Sequence, residues 1–508
     1  MKTKLKSFGA GMVALAALFT CSTAVADRYS ELANTPFVEN AATDASAKKL
    51  TEELYFQRAT QVYLWALPVM NTVAMRDGSA KVFGSGYNVM QIWKQRLDAK
   101  TLVTTPNSDV IYAMAFLDLK KDGPMVIEVP PGLQGILDDF WQRPLTGPRT
   151  KSPLGLPSPD GKRWYGDVGL VGPDQGKGGK FIILPPGYKG KEPKGGFVFR
   201  SRTYEVFVFW RAFFQNPKDL SKPVALMEKT KIYPLGKKAG AKPMKFPDAS
   251  GVPADLLFPR DASYFDMLSK FIDHEYVDPC DMDMRGMLAS IGIIKGKPFQ
   301  PTARQRELLN DAAMTAFKIG KAMTTHAVAN WEGGRVWPDR QYINPFIGGS
   351  PFFHADTYTY LDNRTLYFLN AYSASPAMAM SFVGKGAKYP TTFRDSDGNI
   401  LSGGKTYKLH LPKGIPVKLF WSVTVYDTDN ASELVNGSYP SINAMDKPKA
   451  NADGSIDIYF GPEKPKGADN WLKTVRGKAW FILLRLYGPE KPYFDNSWKP
   501  DDIVKINE

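Results

Sequence analysis

The chain has 508 residues, 65 of them Lys or Arg against 51 Asp or Glu, for a net charge of +14, and 13% are aromatic. The charge is spread thinly, with no block of five or six like charges, which argues against nucleic acid as a partner. Of the two cysteines, Cys21 falls in the N-terminal segment and Cys280 stands alone after it, so no intrachain disulfide framework is expected.

The first 26 residues have the anatomy of a secretory signal peptide. Lys2, Lys4 and Lys6 form a basic region, Phe8 to Phe19 is apolar or small, and Ala24-Val25-Ala26 fits a cleavage site. Taking the three lysines from +14 leaves +11 for a mature chain starting at Asp27. The apolar run is well short of the ~20 residues that span a bilayer, and a lipid-modified Cys21 is disfavoured by Phe19 and Thr20 before it. A periplasmic or secreted protein with no transmembrane segment is expected.

Residues 42–76 read as helix, with Leu50, Leu54, Val62, Ala66 and Val69 near helical spacing and Pro68 expected to bend or end it. Residues 79–98 read as a loop and a short helix around Ile92 and Leu97. From 101 onward short β-type runs dominate: 110–116, 125–129, 181–184, 197–199 and 206–210, punctuated by Pro130-Pro131-Gly132 and Pro185-Pro186-Gly187. Helices return over 217–332, clearest at 304–329, and again over 356–372. From about 388 the pattern is β once more, with alternation over Thr406–Leu411 and long apolar strands over 417–426 and 479–487.

The octapeptide Thr105-Pro106-Asn107-Ser108-Asp109-Val110-Ile111-Tyr112 resembles the signature of the bacterial domain-of-unknown-function family 1254, as do Gly178-Gly179-Lys180, Pro185-Pro186-Gly187-Tyr188 and Arg211. The C-terminal part is similar to its companion family 1214 through Tyr389-Pro390, Lys405-Thr406-Tyr407, Trp421 to Asp427, Asn470-Trp471-Leu472 and Arg485-Leu486-Tyr487-Gly488-Pro489. The resemblance implies two β-rich domains, the second a jelly roll similar to those of some glycan-processing enzymes, and it supplies neither an established activity nor catalytic residues. The expected organisation is α+β: two β-sandwich or jelly-roll domains with helical segments at the N-terminus and between them. Its expected parts are a signal peptide (1–26), an N-terminal β-rich domain (42–215), a helical and irregular connection (216–380) and a C-terminal jelly-roll-like domain (381–508).

Metal, phosphate-loop and nucleophile-elbow motifs are absent. The four histidines, His274, His326, His354 and His410, are scattered, and no metal or cofactor is expected. Carboxylates remain. Asp109 and Asp139 are the candidate catalytic residues, Asp139 because it precedes the aromatic pair Phe140-Trp141, as a sugar site would need. The competing reading of Asn107 and Asp109 is a local backbone cap. Asn107, Tyr112, Trp141, Trp421 and Arg485 are the candidate ligand-binding residues. Arg485 lies in an apolar strand and must be neutralised, with Asp427 one candidate partner. Strand alternation places Tyr112 opposite Ile111 and Ala113, facing a cleft that Asp109 would share. Two classes of function stay open. One is a hydrolase or lyase on an envelope or environmental glycan-like substrate, the other a non-catalytic periplasmic ligand-binding or envelope-homeostasis protein. The first expects convergent carboxylates, the second aromatics and cations without an acid pair.

Overall fold

A computed structural model describes residues 27–147 and 165–506. The expected signal peptide lies outside them. The chain divides into two compact units at Leu54/Tyr55. In the first, Asp27 caps the helix Arg28–Ala33 by accepting from the Ser30 amide at 2.8 Å. A short hairpin follows, Phe37–Val38 with Ala41–Ala42, turning through Glu39 and Asn40 at positive φ.

The helix expected over 42–76 runs from Asp44 to Phe83, and Pro68 sits inside it. It does not end there because both flanks are buried: Val62, Ala66, Leu67 before it and Val69, Met70, Val73 after it all enter one core. The proline's own carbonyl accepts from the Gln142 side chain at 2.6 Å. The short helix expected around Ile92 and Leu97 is not formed. Gln91–Ile92 instead pairs antiparallel with Met114 and Ala113 as a sheet edge, so pairing overrides local preference.

The larger unit holds two pairs of facing sheets. In the first pair, a five-stranded antiparallel sheet is ordered Gln91–Ile92, Ile111–Asp118, Glu205–Ala212, Gln134–Asp139, Asp167–Val168. Against it lies a four-stranded sheet: Phe197–Arg200, Gly179–Leu184, Met125–Val129, Lys231–Pro234. Ile111, Ala113, Val206, Val208 and Trp210 meet Met125, Ile127, Phe181 and Phe199 between them. The alternate residues, Tyr112, Met114, Phe207 and Phe209, point the other way, into a core shared with the Asp44–Phe83 helix and the helices Ser263–His274, Ala303–Ala322 and Leu361–Asn370.

The C-terminal pair follows the same logic. Trp480–Pro489 is central, flanked by Val417–Asp427 on one side and the short Ala387–Lys388 and Thr391–Thr392 strands on the other. The facing sheet is Trp471–Lys473, Ile456–Gly461, Tyr407–Leu411, Val504–Lys505. Val423, Val425, Ile482, Leu484 and Leu486 meet Leu409, Leu411, Ile458 and Phe460. No sheet among the described residues closes into a barrel, and the class is α+β. No helix of the described residues is long and apolar enough to cross a membrane.

Gly135 lies opposite Trp210, and a β-carbon there would run into the indole ring. We expect Gly135→Ala to destabilise the protein by about 1–3 kcal/mol, the range for overpacking a core. Gly240→Ala, where a β-carbon meets open space, should stay within about 0.5 kcal/mol. Urea melts of the two variants make the comparison.

Candidate functional site

Strand parity leaves one face of each central sheet turned away from its own sandwich core. From the first sheet these residues are Tyr112, Phe209 and Arg211. From the C-terminal sheet they are Phe481, Leu483 and Arg485. They border one cavity of about 70 Å³, completed by Leu366, Tyr367, Asn370 and Tyr372 from the Leu361–Asn370 helix and its exit, and by Met378 and Tyr389. That space suits a small molecule or its head group and excludes a polymer chain.

Among the described residues, two guanidiniums reach this cavity and no carboxylate lines it. Arg485 is 2% exposed. Its Nη1 donates to Thr424 Oγ1 at 2.9 Å, and its Nη2 to the carbonyls of Thr105 and Pro106 at 3.2 and 3.1 Å and to the Tyr426 hydroxyl at 2.5 Å. Asp427 is therefore not its partner. Arg485 is in register with Ser422, whereas Asp427 faces Trp480, five positions along the strand and on the other face, and pairs with Lys478. Arg211 is less well held: its Nη2 approaches Met378 Sδ at 4.0 Å, and Tyr389 is its first polar neighbour. Asp167 lines a second recess on the other side of Arg211 and makes no ion pair with it among the described residues. Burial raises the Asp167 carboxyl to about 6.

Burial also pushes the phenols of Tyr112, Tyr367, Tyr372 and Tyr487 up, so they stay neutral and offer lone pairs and donors. The Tyr372 hydroxyl lines the cavity, is buried, and has no hydrogen-bond partner among the described residues. Two cations, a free phenol and a side-chain amide, Asn370, thus surround an apolar-walled space. That is the arrangement that receives a small organic anion.

The Thr105–Asp109 turn holds this assembly in place. Thr105 has φ of 36°, a strained value for a β-branched residue, and its amide donates to the Ala431 carbonyl at 2.5 Å. Asn107 Oδ1 accepts from the Asp109 amide at 2.8 Å, and Asn107 Nδ2 donates to the Tyr487 hydroxyl. Asp109 is 0% exposed. It accepts from Arg96 Nη2 at 2.9 Å and from Asn443 Nδ2 and Ser441 Oγ, each at 2.7 Å. The Ser108 hydroxyl donates to Glu433, and the Ser108 carbonyl accepts from Arg96 and from Tyr439. The turn's polar groups are spent on the C-terminal sheet and on Arg96.

The sequence-derived candidates therefore separate. Tyr112 and Arg485 line the cavity. Asn107 and Asp109 do not: they are clamps behind its wall, so the expectation that Asp109 and Tyr112 share a pocket is not met. Trp421 is packed between the two C-terminal sheets, away from the cavity. Asp139 and Trp141 border a different cleft. There Asp139 accepts from the amides of Trp141 and Arg143 at 2.9 and 3.1 Å and from Arg143 Nε at 2.7 Å, which occupies both oxygens. Arg211, Tyr367, Tyr372 and Tyr389 were not among the candidates. The signal that singled out Arg485, one arginine in an apolar strand, applies equally to Arg211 at the end of Val206–Trp210.

Residues 87–234 match the family described as "Protein of unknown function (DUF1254)", and residues 386–491 match "Protein of unknown function (DUF1214)". No curated protein matches the chain. Among solved structures, the chain is similar to the VPA0106 protein from Vibrio parahaemolyticus, at 18% identity and a TM-score of 0.53 over 89% of this chain and 100% of that one. An uncharacterized protein from Burkholderia cenocepacia aligns at 13% identity and a TM-score of 0.36, over 91% of this chain and 97% of that one. The first of these likenesses concerns the fold alone.

Removing Asp109 leaves the buried Ser441 and Asn443 donors without their acceptor and takes from Arg96 its buried carboxylate, with Asp446 at 3.1 Å left to it. Asp109→Ala should cost about 3–5 kcal/mol of stability in a denaturant melt, and a near-normal melt would refute the clamp. Burial also raises the carboxyls of Glu275 and Glu433, to about 7 and about 8. A carboxyl raised in the native state binds protons more tightly there than in the unfolded chain. Its stabilising contribution is present at low pH and is lost as pH rises through the folded value. Stability should fall from the ordinary carboxyl range to about pH 8 and then level. Glu433→Gln should flatten the upper part of that fall and melt above the wild type at pH 8. Melting temperature against pH reads both.

Proposed function

We propose that this chain, which joins a DUF1254 region to a DUF1214 region, binds a small organic anion in the arginine–tyrosine cavity and performs no hydrolysis there. The observation that carries this reading is the convergence of Arg211 and Arg485 on a cavity with no lining carboxylate. A ligand carboxylate or phosphate would take the forked donors that no acidic side chain takes, in a setting where burial strengthens each charge-assisted hydrogen bond. The unpartnered Tyr372 hydroxyl and the Asn370 amide would orient the rest of the molecule.

A hydrolase or lyase on a glycan-like substrate would need Asp109 or Asp139 as acid or base. Asp109 is sealed and three times hydrogen-bonded, and Asp139 is consumed by Arg143 and two amides. Both arrangements favour the binding reading. We further propose export with cleavage after Ala26, and boundaries near 42–215, 216–380 and 381–508, with the last segment a jelly-roll-type sandwich. The facing C-terminal sheets support that last point.

A thermal-shift screen of the full chain against small mono- and dicarboxylates and phosphate monoesters tests the function. A ligand at about a hundred times its Kd should stabilise the protein by about 2.7 kcal/mol. Arg211→Gln, which leaves the Thr105–Asp109 turn untouched, should weaken the best hit at least about tenfold, because a charge-assisted hydrogen bond is lost. Neutral amides of the hits binding equally well would sink the reading.

A further inference from the structure

A second cleft lies apart from the arginine–tyrosine cavity, where the Asp139–Arg143 turn meets the Asp44–Phe83 helix and the loop around His354. It has a volume of about 460 Å³ and continues, past Arg143, Arg202 and Phe352, into a recess of about 420 Å³. One wall is aromatic: the rings of Trp65 and Trp141 are 4.2 Å apart and inclined at 47°.

Three arginines enter this cleft, and they are unequally satisfied. Arg202 Nε is paired with Asp278 at 2.7 Å, and Arg143 Nε with Asp139 at 2.7 Å. The Nη2 of Arg143 is buried without a hydrogen-bond partner among the described residues. Arg364 donates to the Trp65 carbonyl at 2.7 Å and has no carboxylate partner among the described residues. Burial, and then the neighbouring Arg143 charge, lowers the Arg364 guanidinium to about 10. Arg143 Nη2 and Nη1 also stand 3.9 Å from Asp278 and Asp281, beyond hydrogen-bond distance. Both guanidiniums thus keep donors to spare, and an anion between them would engage both. Beside them, His354 Nδ1 is buried and has no hydrogen-bond partner among the described residues, and burial, with the three arginines, lowers the ring below the ordinary histidine value.

We propose that this cleft binds an acidic saccharide, with a pyranose ring against Trp141 and Trp65 and its carboxylate bridging Arg143 and Arg364. The aromatic wall supplies the face on which a sugar ring stacks, and the arginine pair supplies the bidentate carboxylate geometry. The remaining lining is what separates a sugar from a flat aromatic acid. Gln61, Thr359, Asp281 and Asp362 offer donors and acceptors to hydroxyl groups, and His354 Nδ1 can accept one. The adjoining recess gives room for a second ring. With Asp139 held by Arg143, the site binds without cleaving. It is independent of the anion cavity and does not rest on that reading.

Isothermal titration of the full chain with trigalacturonate, maltotriose and benzoate tests the site. Trigalacturonate should bind. Maltotriose, which lacks the charge, should bind at least about tenfold more weakly, and so should benzoate, which lacks the hydroxyl set and is titrated into the Arg211→Gln chain to keep the arginine–tyrosine cavity from taking it. Arg364→Gln should reduce trigalacturonate affinity at least about tenfold and leave maltotriose unchanged, while Trp141→Ala should weaken both. If Arg364→Gln unfolds the protein, Arg143→Lys, which keeps the charge and loses the fork, carries the same expectation. Equal affinity for maltotriose, equal affinity for benzoate in the Arg211→Gln chain, undiminished trigalacturonate binding in the cleft's arginine variant, or no binding of trigalacturonate would each overturn the proposal.

Discussion

A guanidinium with almost no access to water must be solvated by the protein, and Arg485 is the case on which this molecule turns. Among the described residues it makes no ion pair with a carboxylate. Its solvation comes from Thr424, the Tyr426 hydroxyl and the carbonyls of Thr105 and Pro106. Carbonyls can serve a cation this way only where the backbone presents them without their usual partners. The Thr105–Asp109 turn does so by leaving the ladder, with a positive φ at Thr105 held by the Ala431 carbonyl. The strain is local and small beside the cost of an unanswered buried charge.

From that contact the geometry of the cavity follows. The turn feeds directly into the Ile111–Asp118 strand, so fixing Thr105 and Pro106 against Arg485 also fixes the phase of Tyr112. Pairing of that strand with Glu205–Ala212 then sets Arg211 directly opposite Tyr112. Arg96, Ser441 and Asn443 hold the turn from behind through Asp109. The polar residues of the turn act as a joint, and the chemistry faces the cavity from the strands on either side.

The sequence was legible wherever a residue's surroundings are set by its near neighbours. Alternation placed Ile111 and Ala113 in one core and Tyr112 in the other, and the continuous apolar run around Ile482 and Leu484 is a central strand buried throughout. It misled where a distant partner decides. Asp109 has the look of a pocket acid, and Arg96 together with two residues more than 300 positions away makes it a clamp. Arg485 had to be neutralised, but a neighbouring aspartate was the natural guess, and strand register puts that aspartate on the wrong face. Pro68 predicted a break in a helix whose burial on both flanks outweighs one missing amide. Trp421, conspicuous in a long strand, turned out to be core, because its parity aligns it with Val423 and Val425. Tyr372 carried no local mark, and Tyr389 was marked only by the family resemblance, since only the folded chain brings them to the two arginines.

The joint also bears on how such a chain can be divided. A fragment ending before residue 386 would present the Thr105–Pro106 carbonyls and the Asp109 carboxylate to solvent or to strangers. A fragment beginning there would carry Arg485 on a bare apolar face with nothing across from it. Neither piece would behave as a portable module, despite each having its own pair of sheets. Recombining an N-terminal half from one relative with a C-terminal half from another would succeed only where both sides of the joint were inherited together.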